Sequence, residues 1–145
     1  MPRQPPLSDG AGPWTERVLP TALEHIRPAE RDVLERLGEL GYSDDDRFGV
    51  RLALEEALVN AMKHGNKMDL SKHVHMAYRL SAERAEIHVA DEGEGFDPGQ
   101  VPDPTCDENL AKPCGRGVML MRCYMDEVTY RDKGREVHMV KYRRP

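Results

Sequence analysis

The chain has 145 residues, of which 39% are hydrophobic and 32% are charged, and its formal net charge is −5 at pH 7. We expect one soluble, cytoplasmic domain, because no apolar run is long enough to span a bilayer and the N-terminus lacks the apolar core of a signal peptide. The negative charge argues against a nucleic-acid-binding surface, which needs clustered Lys and Arg.

The N-terminal segment differs in composition from the rest of the chain. Residues 1–13 are rich in proline and glycine, which predicts a flexible or extended arm ahead of one domain over residues 14–145. The stretch from Trp14 to Leu19 alternates weakly between apolar and polar residues. It predicts a first strand.

Two helices are predicted after this strand. Apolar residues between Thr21 and Leu40 fit one helix face, with a break or kink expected near Pro28. Gly41 should end the first helix, and the run Ser43-Asp44-Asp45-Asp46 supplies an N-cap and first-turn negative charge for the second.

The second predicted helix carries two polar side chains on an element that is otherwise apolar. Its apolar residues recur at helical spacing, which is typical of a largely buried helix. Glu56 and Asn60 lie at i and i+4 and therefore project together from one face. They fit a carboxylate that orients or deprotonates a nucleophile beside an amide oxygen that ligates magnesium. Polar residues at the rim of an amphipathic helix would give the same pattern.

A hairpin is predicted after the second helix. We expect Gly65 to close that helix as a C-terminal glycine and residues 66–72 to form a polar connector. Alternating apolar residues then predict two strands joined by a turn at residues 81–84. His73 and His75 share one strand face, but two histidines without a third ligand are more often surface residues than a metal site.

The second strand of this hairpin runs into the segment Asp91-Glu92-Gly93-Glu94-Gly95. An aspartate followed by two glycines suits a close approach of the backbone to a flat or charged ligand, because glycine has no side chain and tolerates positive φ. A loop in which the glycines only serve turns fits the pattern equally well.

The C-terminal third contains a second glycine-bearing segment. Residues 97–114 show no periodicity and hold several prolines, so we expect either disorder or a functional segment such as a lid. Gly115-Arg116-Gly117 then opens an apolar helical run from Val118 to Met125. Such a helix N-terminus suits an anion, although a simple helix-starting loop fits too. A last hairpin with a turn at residues 132–134 ends the predicted elements.

The order of these elements predicts an α+β fold. Strand, helix, helix, strand, strand, helix, strand, strand is compatible with a two-layer α/β sandwich, in which a mostly antiparallel mixed sheet carries the helices on one face.

Three segments together resemble the nucleotide-binding motifs of one superfamily. Residues 56–65 resemble the N box of the Bergerat-fold ATPases, which include gyrase, heat-shock chaperone and histidine-kinase ATP domains. Residues 91–95 resemble the first glycine box of that superfamily, and residues 115–118 the second. The single-domain layout and the run Met125-Asp126-Glu127-Val128 are most similar to bacterial anti-sigma factors with serine-kinase activity. The resemblance covers roughly residues 14–142.

The resemblance implies roles for the N-box residues. Glu56 would be the general base or the orienting carboxylate for the attacking hydroxyl, and Asn60 would be the magnesium ligand. Lys63 stands at the position that approaches phosphate in related kinases. Phosphoryl transfer depends on positioning and charge neutralisation, for which these groups are suited.

It also implies roles for the glycine boxes. Asp91 would accept a hydrogen bond from the adenine amino group, with Gly93 and Gly95 leaving space for the ring and for a lid hinge. The second glycine box would hold the phosphates: Gly115, Arg116, Gly117 and Val118. Many relatives place a threonine after the glycine of the last hairpin, whereas here Gly134 is followed by Arg135.

From the resemblance we expect an ATP-binding anti-sigma factor that uses ATP and Mg²⁺ to phosphorylate a serine of an antagonist (anti-anti-sigma) protein. Its partners would be that antagonist and a sigma factor, a homodimer is suggested, and no direct nucleic-acid or membrane partner is expected. One alternative is a non-catalytic ATP-binding partner-switching module. A second is a histidine-kinase-type ATPase domain, which is disfavoured because the chain has no room for a helical phosphoacceptor domain.

Overall fold

A computed structural model describes residues 13–94 and 121–144, in which a five-stranded sheet packs against two helices. The predicted arm over residues 1–13 and the lid over residues 97–114 therefore lie almost wholly outside the described residues. The elements in chain order are β1 (Thr15–Pro20), a 3-10 turn (Leu23–His25), α1 (Ile26–Glu39), α2 (Asp44–Asn60), a π-helical turn (Ala61–Gly65), β2 (His73–Leu80), β3 (Arg84–Ala90), β4 (Glu127–Arg131) and β5 (Glu136–Tyr142).

The strands form one sheet in the order β1-β2-β3-β5-β4, and each neighbouring pair of these described strands is antiparallel. Met76 lies opposite Val89, and Ile87 lies opposite Met139, so apolar residues of adjacent strands share one face. That face joins the buried side chains of α1 and α2 in a single core. The predicted α+β sandwich is confirmed.

The first helix starts later than predicted. The chain makes a 3-10 turn and then enters α1 at Ile26, so Pro28 occupies the first helical turn. A proline is tolerated there because the first N–H groups of a helix have no intrahelical acceptor. The interruption expected near Pro28 is thus the junction between the 3-10 turn and α1, before the proline.

Both helix boundaries around Gly41 agree with the sequence. Gly41 has φ +89°, its N–H donates to the carbonyl of Gly38, and the Tyr42 N–H donates to Leu37, which satisfies the last carbonyls of α1. Ser43 then caps α2, because its Oγ accepts a hydrogen bond from the Asp46 N–H at 3.1 Å.

Within residues 13–94 and 121–144, no helix has the length and apolar character needed to cross a membrane. Residues 121–124 are helical and form the end of the predicted run to Met125, and residues 115–120 lie outside the described part of the chain.

Candidate functional site

Glu56 and Asn60 lie near the end of helix α2, and Asn60 lines the space between the helix and the sheet. Both side chains are half-buried, one turn apart, beside the buried Ala57 and Ala61. The helix does not continue with α-geometry beyond Asn60, but passes into the π-helical turn Ala61–Gly65. Such turns are found mostly within functional sites, where the extra residue redirects the backbone.

Charges of both signs surround Glu56. Burial raises the pKa of its carboxyl group, and the neighbouring Glu55 raises it further. The ammonium group of Lys63 opposes this effect and lowers the pKa of Glu56. Lys63 therefore acts electrostatically on Glu56, an interaction that the sequence analysis did not predict.

Glu55, the neighbour of Glu56 on helix α2, packs towards helix α1. It is half-buried, and its carboxyl group faces that of Glu30 on α1, which is only 3% exposed. The proximity of the Glu55 carboxyl group favours the protonated form of Glu30. Burial first, and then Glu55, raise the pKa of Glu30 to about 7.

A pocket lies between the end of α2 and the sheet. Its helical wall consists of small residues and Asn60, and its floor is formed by β3 and β5. It is lined by Ala57, Asn60, Ala61, Val89, Asp91, Tyr130, Gly134, Arg135 and Val137. The alanines keep this wall free of larger side chains, and the pocket places Asn60 and Asp91 around one space.

Asp91 follows the last residue of β3 and is 4% exposed. Its Oδ1 accepts a hydrogen bond from the Gly93 N–H at 2.8 Å, and its own N–H donates to the Arg135 carbonyl at 2.9 Å. Asp91 is thus tied both to the glycine segment and to the turn before β5, and this fixes its backbone and carboxylate.

Gly65 and Gly93 have no side chains, and this leaves room for Asp91. A Cβ atom at Gly65 would lie 2.3 Å from Asp91 Cγ, and one at Gly93 would lie 1.8 Å from the Gly65 carbonyl oxygen. No side chain fits at either position. These glycines are required for close packing of three backbone segments.

The expected helix-closing role of Gly65 is wrong. Gly65 does not have a positive φ, and the left-handed residues that turn the chain after the helix are Lys67 (φ 53°) and Met68 (φ 57°). The Asn66 N–H donates to the Ala61 carbonyl and the Met68 N–H to that of Met62. These bonds satisfy the helix end without a left-handed glycine.

Of the residues that line the pocket, only Asn60 and Asp91 were predicted as site residues from the sequence, and the last hairpin was not predicted to contribute. Tyr130, Gly134 and Arg135 come from the last hairpin, where Gly134 has φ +80° and starts the return of the chain towards β5. Burial raises the pKa of Tyr130, which keeps its phenol neutral. The glycine of the predicted turn at residues 132–134 was the signal in the sequence that could have indicated this part of the pocket.

The two histidines of β2 meet the glycine segment and form no metal site. The His73 N–H donates to Glu92 Oε1 at 3.0 Å, and His75 Nε2 lies 2.8 Å from Glu92 Oε2. Throughout the described ranges, no three His, Cys, Asp or Glu side chains come together in a way that could hold a metal ion.

The remaining predicted site residues belong to the undescribed part of the chain. They are Gly95, Gly115, Arg116, Gly117 and Val118. Among the described residues, Asn60 and Asp91 line one pocket and Gly93 contacts Asp91, whereas Glu56 and the exposed Lys63 are not part of the pocket lining.

Comparisons with known proteins agree with this architecture. The family model described as "Histidine kinase-like ATPase domain" matches residues 19–141. The serine-protein kinase RsbW of Bacillus licheniformis is 30% identical over 141 residues, which cover 91% of this chain and 87% of that protein. The serine/threonine-protein kinase BtrW of Bordetella bronchiseptica is 31% identical over 110 residues, covering 74% and 70%.

A solved structure shares the fold. The RsbU and RsbW domains of a Mycobacterium tuberculosis protein match with a TM-score of 0.63 at 17% identity. The match covers 92% of this chain but 34% of that one, so this chain spans about a third of the solved protein.

Proposed function

This chain belongs to the family of histidine kinase-like ATPase domains, and from that premise we propose that it is an ATP-dependent serine/threonine-protein kinase of the anti-sigma type. One observation carries the proposal: Asn60 and Asp91 line a single pocket whose helical wall is built of alanines. Small-molecule sites combine apolar walls with a few fixed polar groups, and the lining of this pocket contains both.

Nucleotide binding is the first step that we propose. The carboxylate of Asp91, held in place by the Gly93 N–H, would accept a hydrogen bond from the adenine amino group. Ala57 and Val89 lie on opposite sides of the pocket and would contact the two faces of the ring. Gly95 would allow movement of the segment that follows.

Asn60 is the proposed magnesium ligand. Its amide oxygen is a hard, neutral donor, and Mg²⁺ is commonly held by one or two protein oxygens together with water and phosphate oxygens. The absence of a His, Cys, Asp or Glu cluster in the described ranges fits this mode, because the nucleotide would supply most of the ligands. When bound, the ion would neutralise charge on the phosphates.

Glu56 is the proposed general base. A serine hydroxyl oxygen of the substrate would attack the γ-phosphorus, the bond from that phosphorus to the bridging oxygen of ADP would break, and the hydroxyl proton would pass to the Glu56 carboxylate. Burial raises the pKa of Glu56 above the usual range of a carboxyl group, which makes it a stronger base. Lys63 would attract the phosphates.

The rest of the site is proposed from the resemblance. Gly115, Arg116, Gly117 and Val118 would hold the phosphates at a helix N-terminus. The serine would belong to an antagonist protein, and the same chain would bind a sigma factor in the cytoplasm, as a homodimer. The names of the relatives, serine-protein kinase and serine/threonine-protein kinase, support the transfer reaction.

A paired experiment tests the proposal. ATP titration by calorimetry, with and without Mg²⁺, should show binding to the wild type, loss of binding in Asp91→Asn, and retained binding in Glu56→Ala. Transfer from labelled ATP to a serine-bearing antagonist protein should vanish in Glu56→Ala. If the wild type does not bind ATP at millimolar concentration, the nucleotide site is refuted. If Glu56→Ala still transfers phosphate, Glu56 is not the base. Binding without any transfer by the wild type would identify the non-catalytic partner-switching module.

A further inference from the structure

Asn66 is completely buried, although the sequence places it in a polar connector. Its exposed fraction is 0%, and it lies directly after the π-helical turn that ends at Gly65. A buried amide has two donor hydrogens and an oxygen acceptor that all need partners. The partners of Asn66 therefore show what this side chain holds together.

Each polar atom of the Asn66 side chain has a partner in a different segment. Nδ2 donates to the Thr21 hydroxyl oxygen, which follows β1, and to the His73 carbonyl at the start of β2, both at 3.0 Å. Oδ1 accepts from the backbone N–H of Glu92 at 2.8 Å. Asn66 thus joins the end of the second helix to the residue between Asp91 and Gly93.

The partners of Asn66 are themselves fixed. The Thr21 hydroxyl donates to the Lys72 carbonyl at 2.6 Å, and Thr21 is 0% exposed. Glu92 is held a second time, because its Oε1 accepts from the His73 N–H. The amide of Asn66 is therefore a rigid link between the ends of two strands and the segment 91–93.

The backbone that follows Asn66 is strained, and the hydrogen bonds of Asn66 offset this strain. Lys67 and Met68 adopt left-handed φ values of 53° and 57°, which are unfavourable for residues other than glycine. The tight turn that they form sends the chain back, and the Asp69 N–H donates to the Asn66 carbonyl. Hydrogen bonds on both the backbone and the side chain of Asn66 offset the strain and keep the amide pointing inward.

We propose that Asn66 is a positioning residue of the nucleotide site, which sets the place of the Asp91 carboxylate by anchoring the Glu92 N–H. Asn66 does not touch the pocket itself, and it acts through the segment 91–93. The inference rests on the proposed ATP binding. Substitution of Asn66 should therefore weaken nucleotide affinity, although the residues that line the pocket are unchanged.

Three variants distinguish a positioning role of Asn66 from a general effect on the stability of the fold. Asn66→Ala removes all three side-chain hydrogen bonds, Asn66→Asp keeps an oxygen that accepts the Glu92 N–H, and Thr21→Val removes the partner on the β1 side alone. ATP affinity by calorimetry, hydrogen exchange of the Glu92 amide by NMR and the thermal midpoint should be measured for each.

We expect Asn66→Ala to weaken ATP binding about tenfold and to accelerate exchange of the Glu92 amide, because that N–H loses its buried acceptor. Thr21→Val should lower the thermal midpoint yet keep the affinity within about twofold of the wild type, and Asn66→Asp should recover most of the affinity. If Asn66→Ala does not fold, Asn66→Asp decides through two readouts: retained affinity with slow exchange of the Glu92 amide supports the anchor, and lost affinity with slow exchange at Glu92 overturns it.

Two results would overturn the inference while the wild type binds ATP. One is a folded Asn66→Ala variant with wild-type affinity and wild-type exchange at Glu92. The other is a loss of affinity in Thr21→Val or Asn66→Asp as large as in Asn66→Ala, which would make the role merely structural. Failure of the wild type to bind ATP would instead refute the proposed function, and the two failures are thus distinguishable.

Discussion

Gly65 lies directly against the carboxylate of Asp91. A Cβ atom at residue 65 would be 2.3 Å from both Cγ and Oδ2 of Asp91 and 2.7 Å from Oδ1. Atoms that are not bonded overlap at these distances, so the end of the second helix and the end of β3 fit together only because residue 65 has no side chain.

Gly65→Ala should therefore displace Asp91. We expect ATP affinity to fall at least about tenfold, and stability to fall by about 1–3 kcal/mol, because the overlap can be relieved only by moving backbone or the carboxylate. Calorimetric titration and denaturant unfolding measure the two effects.

Gly38→Ala is the matched control. A Cβ there would meet only the flexible side chain of Arg47 at 3.5 Å, an ordinary contact on helix α1. Affinity should stay unchanged, and stability should rise by up to about 1 kcal/mol from better helix propensity. Equal affinities of Gly65→Ala and the wild type would contradict the proposed position of the ligand at Asp91.

Asn60→Ala should remove only the magnesium-dependent part of nucleotide binding. The variant loses the amide oxygen, while Asp91 and the alanine wall stay in place. We expect ATP titrations with Mg²⁺ and with a chelator to give the same affinity in the variant and different affinities in the wild type. A variant that keeps the full magnesium effect would show that Asn60 is not the ligand.

The pH profile of phosphoryl transfer should respond to the neighbours of Glu56. The base is active as a carboxylate, so the rate should fall on the acidic side as Glu56 is protonated. Glu55 raises the pKa of Glu56, and Lys63 lowers it. Glu55→Gln should then move the acidic limb to lower pH, and Lys63→Gln should move it to higher pH. Single-turnover rates measured across pH test both shifts, and a limb that neither variant moves would exclude Glu56 as the titrating group.

Glu30 should make the fold less stable as the pH rises. Its pKa increases from 4.5 to about 7 on folding, so between these values the folded chain binds more protons than the unfolded chain. The contribution of protonated Glu30 to the free energy of unfolding is fully present below pH 4.5 and is lost as the pH rises past about 7. The total loss is at most about 3 kcal/mol.

Glu30→Gln should remove this dependence. Denaturant unfolding should show the variant about 1–2 kcal/mol more stable than the wild type at about pH 8, with no gain at about pH 4.5. The exposed Glu35, which lies in the same groove between the helices, provides the control Glu35→Gln. A gain of the same size at both pH values would disprove the linkage.

The secondary structure was predictable because its signals are local. Alternating apolar residues marked β2, β3 and β5, and the Ser43 cap and the Gly41 stop bounded the helices. The spacing of Glu56 and Asn60 was enough to place both side chains on one helix, since i and i+4 neighbours follow from helical geometry alone. Motif order then indicated the family.

The sequence by itself thus determined the elements and the α+β class, because each element depends on neighbours a few positions away. Only the tertiary structure decided that Gly65 is a contact residue, that Asn66 is a buried link, and that Glu55 lies against the buried Glu30. Each of these contacts joins residues that are about 25 positions apart in the sequence. No local sequence pattern encodes contacts over such a separation.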